Sequence, residues 1–167
     1  MSTWGLLAVT ALVLALLAIV FPAGTLDKEL RASARPDPVA AEYLENMVRG
    51  RPQDVELRFA LARQQADLGR LEQALATLDP LTAADDDATR RGALRQRLEI
   101  LRAYAYAQPE GSAARRDALA RTRVAAATLA REELDTAALA ALAEEATALG
   151  AAGTAAALYA RLAQRPD

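Results

Sequence analysis

The side chains that most often carry acid–base or nucleophilic chemistry are missing from this chain. Its 167 residues include neither His nor Cys. That removes imidazole acid–base pairs, thiol nucleophiles, disulfides and Cys/His zinc sites. Carboxylates, hydroxyls and guanidinium groups remain. Asp85-Asp86-Asp87 gathers three acids, but divalent cations take oxygens at defined loop spacings, and three adjacent carboxylates fit a solvated, helix-capping loop better. Glu132-Glu133 and Glu144-Glu145 are adjacent pairs. Neighbours on a helix point in different directions, so they read as exposed surface and not as a proton-sharing dyad. Gly150-Ala151-Ala152-Gly153 precedes a helix yet lacks the rest of a phosphate-binding pattern, and a hairpin turn accounts for it. The sequence therefore assigns no catalytic residue, no cofactor-binding residue and no metal ligand, and the expectation is a protein that is not an enzyme.

Binding chemistry is better represented. Arg90, Arg91, Arg95, Arg97, Arg102, Arg115, Arg116, Arg121 and Arg123 crowd one stretch of chain. They read either as solvated helix faces paired with Glu, or as a patch for an acidic partner or anionic headgroups. The net charge of −2 gives no pull toward nucleic acid, and an aromatic content of 4% leaves little to stack bases on, so no nucleic-acid partner is expected. Lys28 is the only lysine, and the bias to Arg and Ala reads as codon usage. Absence of Cys fits any compartment.

The elements that carry these groups are helical throughout. Ala, Leu, Arg and Glu favour helix, and no run of alternating β-branched residues argues for a strand. Thr3 to Phe21 is an uncharged, mostly apolar run of 19 residues. As a helix it spans roughly 28 Å, close to the hydrocarbon thickness of a bilayer. A cleaved signal peptide would show a basic start and a nearby small-residue cleavage site, and neither is present. Residues 1–24 are thus expected to be an N-terminal membrane anchor, stopped by Pro22 and Gly24. A linker over 25–37 follows, with a short helix from Leu26 to Ala34. Lys28, Arg31 and Arg35 after the span favour a cytoplasmic C-terminal part by the positive-inside count.

Beyond the linker, caps and breaks divide residues 38–167 into helical hairpins. Asp37-Pro38 starts a helix to Arg49 with Val39, Tyr43 and Met47 as its apolar stripe. Asp54 caps a helix over 55–68 that ends at Gly69, a residue suited to a left-handed turn. The next helix begins at Leu71, and Asp79-Pro80 should bend or end it. An Asp near 87 opens a longer helix to Ala107, with Leu94, Leu98, Leu101 and Ala105 inward. Ser112 caps the next. Asp135 caps a helix ending at Gly150, and a last helix spans about 153–164. That makes eight helices after the anchor.

Two of these hairpins echo each other. Leu61, Ala62, Gly69, Ala74 and Leu78 recur as Leu142, Ala143, Gly150, Ala155 and Tyr159, each 81 residues later. The pattern resembles the tetratricopeptide repeat, whose units carry aromatic-x-x-Leu-Gly-x-x-Tyr, then Ala-x-x-x-Phe, then Pro. Arg58 and Gln65 stand where that family has Trp and Tyr. The hairpin over 88–130 is longer than the family's unit. The resemblance implies an all-α fold, an α-solenoid of stacked hairpins behind the N-terminal transmembrane helix, in which Leu61, Leu78, Leu142 and Tyr159 fill the space between hairpins. It also implies a concave groove lined by the first helix of each pair. By register Glu56, Phe59, Arg63 and Asp67 face it from one unit, and Ala140, Glu144 and Thr147 from another. Arg95 and Arg102 of the arginine-rich hairpin join them as partner-binding candidates. Phe59 is either an interface anchor or an ordinary packing residue against the 38–49 helix.

The anchor, the segment Phe21-Pro22-Ala23-Gly24-Thr25-Leu26 and the repeats together also look like bacterial envelope scaffolds, such as those of exopolysaccharide secretion of the Pel type. That resemblance implies a single-pass inner-membrane protein with its repeats in the periplasm, against the charge count. The function it implies is protein–protein docking within a membrane-associated complex, with residues 3–21 in the membrane. An alternative is an accessory subunit bound mainly through its transmembrane helix, whose Thr3, Gly5, Ala8, Thr10 and Ala11 offer a small-residue surface. A third is a homo-oligomer joined through the repeat ends. The last helix lacks a polar cap, so the expectation is a longer array or an end covered by a partner.

Overall fold

The computed structural model describes residues 37–165, and among these every regular element is an α-helix. They are α1 (Pro38–Gly50), α2 (Val55–Asp67), α3 (Leu71–Thr82), α4 (Asp87–Ala107), α5 (Ala113–Leu129), α6 (Thr136–Ala148) and α7 (Ala152–Ala163). The anchor expected at residues 3–21 and the short helix at 26–34 lie outside the described residues. Within them, no helix is long and apolar enough to cross a membrane.

Local chemistry sets the helix ends. The carboxylates of Asp37, Asp54 and Asp135 accept backbone N–H groups of Val39, Leu57 and Ala138. Asp86 and the Ser112 hydroxyl do the same for Thr89 and Arg115. Each bond satisfies a donor that a helix start leaves unpaired. Gly69 and Gly150 adopt φ of 74° and 68°, the left-handed conformation that closes a helix end most readily without a side chain.

The 81-residue echo is also a repeat of hydrogen bonds. Arg70 donates its backbone N–H to the Gln65 carbonyl at 2.8 Å, and Ala151 donates to Ala146 at 2.8 Å. Gly69 to Ala66 is matched by Gly150 to Thr147, at 2.9 and 3.0 Å. The cap from Leu57 N–H to Asp54 is matched by Ala138 N–H to Asp135. Two hairpins with these turns, α2–α3 and α6–α7, flank the longer hairpin α4–α5. Helix α1 packs on α2 as the second helix of a pair would.

Consecutive helices pack closely along the chain as far as α5, and α2 also reaches α4. Leu71, Leu75, Leu78, Leu94, Leu98 and Leu101 form the centre of a core that continues through Leu129, Leu139, Leu142 and Leu158. A smaller cluster of Leu44, Leu57 and Leu61 joins α1 to α2. Helices α5 and α6 touch sparingly. Leu134, from the connection between them, is buried in the core at this junction.

Three expectations need correction. Val39 and Tyr43 are not the buried stripe of α1: they are 73% and 43% exposed, and Ala40, Ala41 and Leu44 are buried instead. The small residues let α1 lie close to α2, which a stripe of large side chains would prevent. Pro80 does not end α3, which runs two residues further. Its missing N–H forfeits one bond to the Ala76 carbonyl, but burial of Leu81 holds the final turn in place and the Thr82 hydroxyl donates to the Asp79 carbonyl at 2.8 Å. Tyr159 does not fill a space between hairpins, being 47% exposed, because no described helix packs on its far side.

The positions where an aromatic would fit the repeat pattern hold a polar network. Gln65 is 4% exposed. It accepts from the Thr77 hydroxyl at 2.7 Å and donates to the Glu45 carboxylate at 3.3 Å. Arg58 donates to the carbonyls of Pro52 and Thr77. The network ties α1, α2 and α3 through directed bonds where an aromatic ring would do so by area.

Candidate partner-binding furrow

Helices α2, α4 and α6 are the first helices of the three hairpins, and their exposed side chains line one surface. Four depressions lie along it, each sharing residues with the next. Glu56, Phe59, Arg63 and Arg95 surround the first, over a floor at Gly92 and Gln96. The second, of about 530 Å³, runs from Arg63, Ala66 and Asp67 on α2 across to Glu99, Ile100, Ala103 and Tyr104 on α4. The third joins Arg95, Glu99 and Arg102 on α4 to Ala138, Ala141 and Glu145 on α6. The last holds Arg102, Tyr106, Glu144 and Ala148. Together they form one furrow.

Of the residues singled out from the sequence as partner-binding, Glu56, Phe59, Arg63, Asp67, Arg95, Arg102 and Glu144 line it. Glu56, Phe59, Arg63 and Arg95 sit together. Asp67 joins Arg63 in the second depression, and Arg102 joins Glu144 in the fourth. On α6 the lining positions differ from the expected Ala140 and Thr147. They are Ala141, Glu144, Glu145 and Ala148, while Ala140 is half-buried and the Thr147 hydroxyl is turned back to the Ala143 carbonyl at 2.8 Å.

Phe59 packs against the main core and not against the cluster that joins α1 to α2. Its ring lies over α4, so near that a Cβ added at Gly92 would stand 3.3 Å from its Cζ. The Gln96 amide reaches across to the Phe59 carbonyl at 2.9 Å. Glycine inside α4 costs helix propensity, and this close approach is the reason it is tolerated. Sequence reasoning missed Glu99, although its spacing of four from Arg95 and three from Arg102 puts all three on one helix face.

The arginine-rich hairpin is not one basic patch. Most of its guanidinium groups are engaged, and many of them join one hairpin to another. Arg97 pairs with Asp79 at 2.6 Å, Arg102 with Glu145 at 2.8 Å, and Arg121 with Glu72 at 2.8 Å. Arg90 bridges Asp87 and Glu132, and Arg123 donates to the Leu149 carbonyl at 2.7 Å. Arg116 caps the Gly111 carbonyl, and Arg115 lies over the Tyr106 ring. From the last helix, Arg161 donates to the carbonyls of Ala130 and Glu132. These bonds reinforce the sparse α5–α6 junction. The donated bond from Arg121 holds the Glu72 carboxyl below its ordinary range, and the Glu132 carboxylate raises Arg90 further above neutrality.

The furrow keeps charges that remain free. Among the described residues, the side chains of Glu56, Asp67, Glu99 and Glu144 and of Arg63 and Arg95 make no ion pair or hydrogen bond within the chain, and all six are exposed. All six lie along the row of depressions. No group of His, Cys, Asp and Glu among the described residues is placed to hold a metal ion.

Comparison with known proteins bears on the same region. Residues 39–98 match the family model of the tetratricopeptide repeat. The matched stretch begins in α1, includes the whole α2–α3 hairpin and ends midway along α4. No curated protein and no solved structure matches the chain.

Proposed function

We propose that this chain is a membrane-anchored docking scaffold that holds a partner protein in the furrow of α2, α4 and α6 within a bacterial envelope assembly. The observation that carries the docking reading is the continuity of the furrow: three successive first helices present exposed, unpaired side chains along one surface. The repeat match over residues 39–98 supports it, because stacked helical hairpins build extended binding surfaces. Membrane attachment is supported by the uncharged run at residues 3–21, and an exopolysaccharide-secretion assembly by the resemblance of the whole layout.

A photo-crosslinking amino acid placed at Arg63 or Glu144, and in parallel at Val124, tests the furrow. Val124 is 67% exposed but lines a different cleft, between α3 and α5. Adducts to one partner protein from the first two positions and not from the third are expected in native membranes. Adducts from Val124 alone would refute the docking surface. The absence of Cys makes topology testable, since Ala114→Cys introduces a single exposed thiol. A membrane-impermeant maleimide should label it in intact cells with a permeabilised outer membrane if the repeats are periplasmic; protection until lysis would place them on the other side.

A second reading, an accessory subunit held mainly through its transmembrane helix, is favoured by the small residues Gly5, Ala8 and Ala11 on the anchor. Deleting residues 1–24 separates the two. A docking scaffold still captures its partner, whereas an accessory subunit loses it.

A further inference from the structure

We infer that the furrow takes a basic segment of the partner protein and seats one large apolar side chain of that segment beneath the overhang of α4. The inference rests on the docking reading above and specifies its chemistry. Helix α4 has 21 residues against 13 in α2, so it is longer by roughly 12 Å at 1.5 Å per residue. Phe59 lies opposite Gly92, near the start of α4, so the excess length extends past the turn at Gly69. The space left under it, about 530 Å³, is walled by Leu71, Ile100, Ala103 and Ala107. Gly69 adds no side chain to its mouth. The Gln96 amide nitrogen at its edge is already bonded to the Phe59 carbonyl. An aliphatic or aromatic side chain fits against these apolar walls, while Arg63, Asp67 and Glu99, which line the same space and are exposed, are left to the polar groups on either side of it.

The sign of the partner follows from the free charges. Along the furrow the unpaired carboxylates are Glu56, Asp67, Glu99 and Glu144, and the unpaired guanidiniums are Arg63 and Arg95. Arg102 and Glu145 neutralise each other. The acids exceed the bases by two. Asp67 on α2 and Glu99 on α4 flank the apolar space from its two sides. Screening confines the effect of each charge to about 10 Å, so the complement is local: Lys or Arg on either side of the anchoring residue. Arg63 and Arg95 retain donors for backbone carbonyls of the bound segment.

Random 12-residue peptides displayed on phage and panned against the full chain test this, with the selected consensus peptide then titrated by fluorescence anisotropy. The expected consensus places Leu, Met, Phe or Trp between Lys or Arg residues. Ala103→Arg fills the space and should weaken that peptide by about tenfold or more, as should replacing its apolar residue by Ala. The two changes combined should cost little more than one, because both empty the same contact. Ala103 is exposed on α4, and an unchanged thermal unfolding midpoint shows that the variant is folded. Paired Asp67→Lys and Glu99→Lys should weaken binding several-fold and flatten its salt dependence. Acidic consensus peptides, or binding that ignores Ala103→Arg yet falls with Arg95→Glu, would overturn the inference and leave the docking surface standing. Self-association of the chain that Ala103→Arg disperses would assign the space to a second copy and also overturn it. No enriched peptide, together with no partner adducts from Arg63 or Glu144, would overturn the docking reading itself.

Discussion

The contact between Phe59 and Gly92 can be tested by a double-mutant cycle, and its sign is informative. Phe59 is half-buried on α4, so Phe59→Ala should destabilise by about 2 kcal/mol, near half the cost of removing a fully buried ring. Gly92→Ala has two opposed effects. Alanine in the interior of α4 gains about 1 kcal/mol of helix propensity. Its Cβ, however, would meet Phe59 Cζ at 3.3 Å and Cε2 at 3.8 Å, so the ring must move outward by a few tenths of an ångström and lose part of its packing. The single substitution should therefore be close to neutral. In the Phe59→Ala background the obstacle is gone, and Gly92→Ala should stabilise by the full amount of about 1 kcal/mol. A coupling of roughly 0.5–1 kcal/mol is expected, within the range for residues in contact. Equilibrium urea denaturation followed by helical circular dichroism measures all four proteins. Additivity within about 0.3 kcal/mol would refute the packing, and would mean that the ring stands free in the furrow.

The remaining predictions concern core, turn, network and pH. Leu78 is fully buried between α3 and its neighbours, and Leu78→Ala should cost about 3 kcal/mol in the same denaturation assay. Gly150→Ala places an L-residue at φ 68° and should cost about 1 kcal/mol, read as a lowered thermal midpoint. Gln65→Ala strands the Thr77 hydroxyl and should destabilise by about 1–2 kcal/mol. Glu72 and Asp86 have carboxyls lowered by bonds from Arg121 and Thr89 respectively. Their contribution to stability is present above the ordinary carboxylate range and lost as pH falls through the lowered values. Glu72→Gln should flatten the acid limb of a stability–pH curve, and a limb of unchanged slope would count against the Arg121 bond.

The helix ends were legible because they depend on a few neighbouring atoms. A side-chain oxygen at Asp37, Asp54, Ser112 or Asp135 meets an N–H two or three residues on, and the required residue types are visible in one dimension. The furrow was partly legible for a similar reason. Once the first helix of each pair is known, its face follows from a period near 3.6, which brought Glu56, Phe59, Arg63, Asp67 and Glu144 to one surface. The α6 register slipped from Ala140 and Thr147 to Ala141 and Glu145. That helix buries Leu139, Leu142, Ala143 and Ala146 and packs mainly on α7, which leaves Ala141, Glu145 and Ala148 beside α4, where Arg102 pairs with Glu145.

The sequence by itself determined the all-helical character of residues 37–165, their helix boundaries to within about two residues outside α3, and the repeat at 81 residues, because propensities, caps and glycine turns act over a few residues. Only the tertiary structure decided what surrounds each face. Val39 and Tyr43 turned outward because Ala40 and Ala41 allow a closer approach of α1 to α2. Pro80 was absorbed because Leu81 is buried beyond it. The arginines became ties between hairpins because acids and carbonyls 18 to 49 residues away came within reach. Nothing in the local sequence encodes such a partner, since the energy of a guanidinium depends on which oxygen the fold brings beside it.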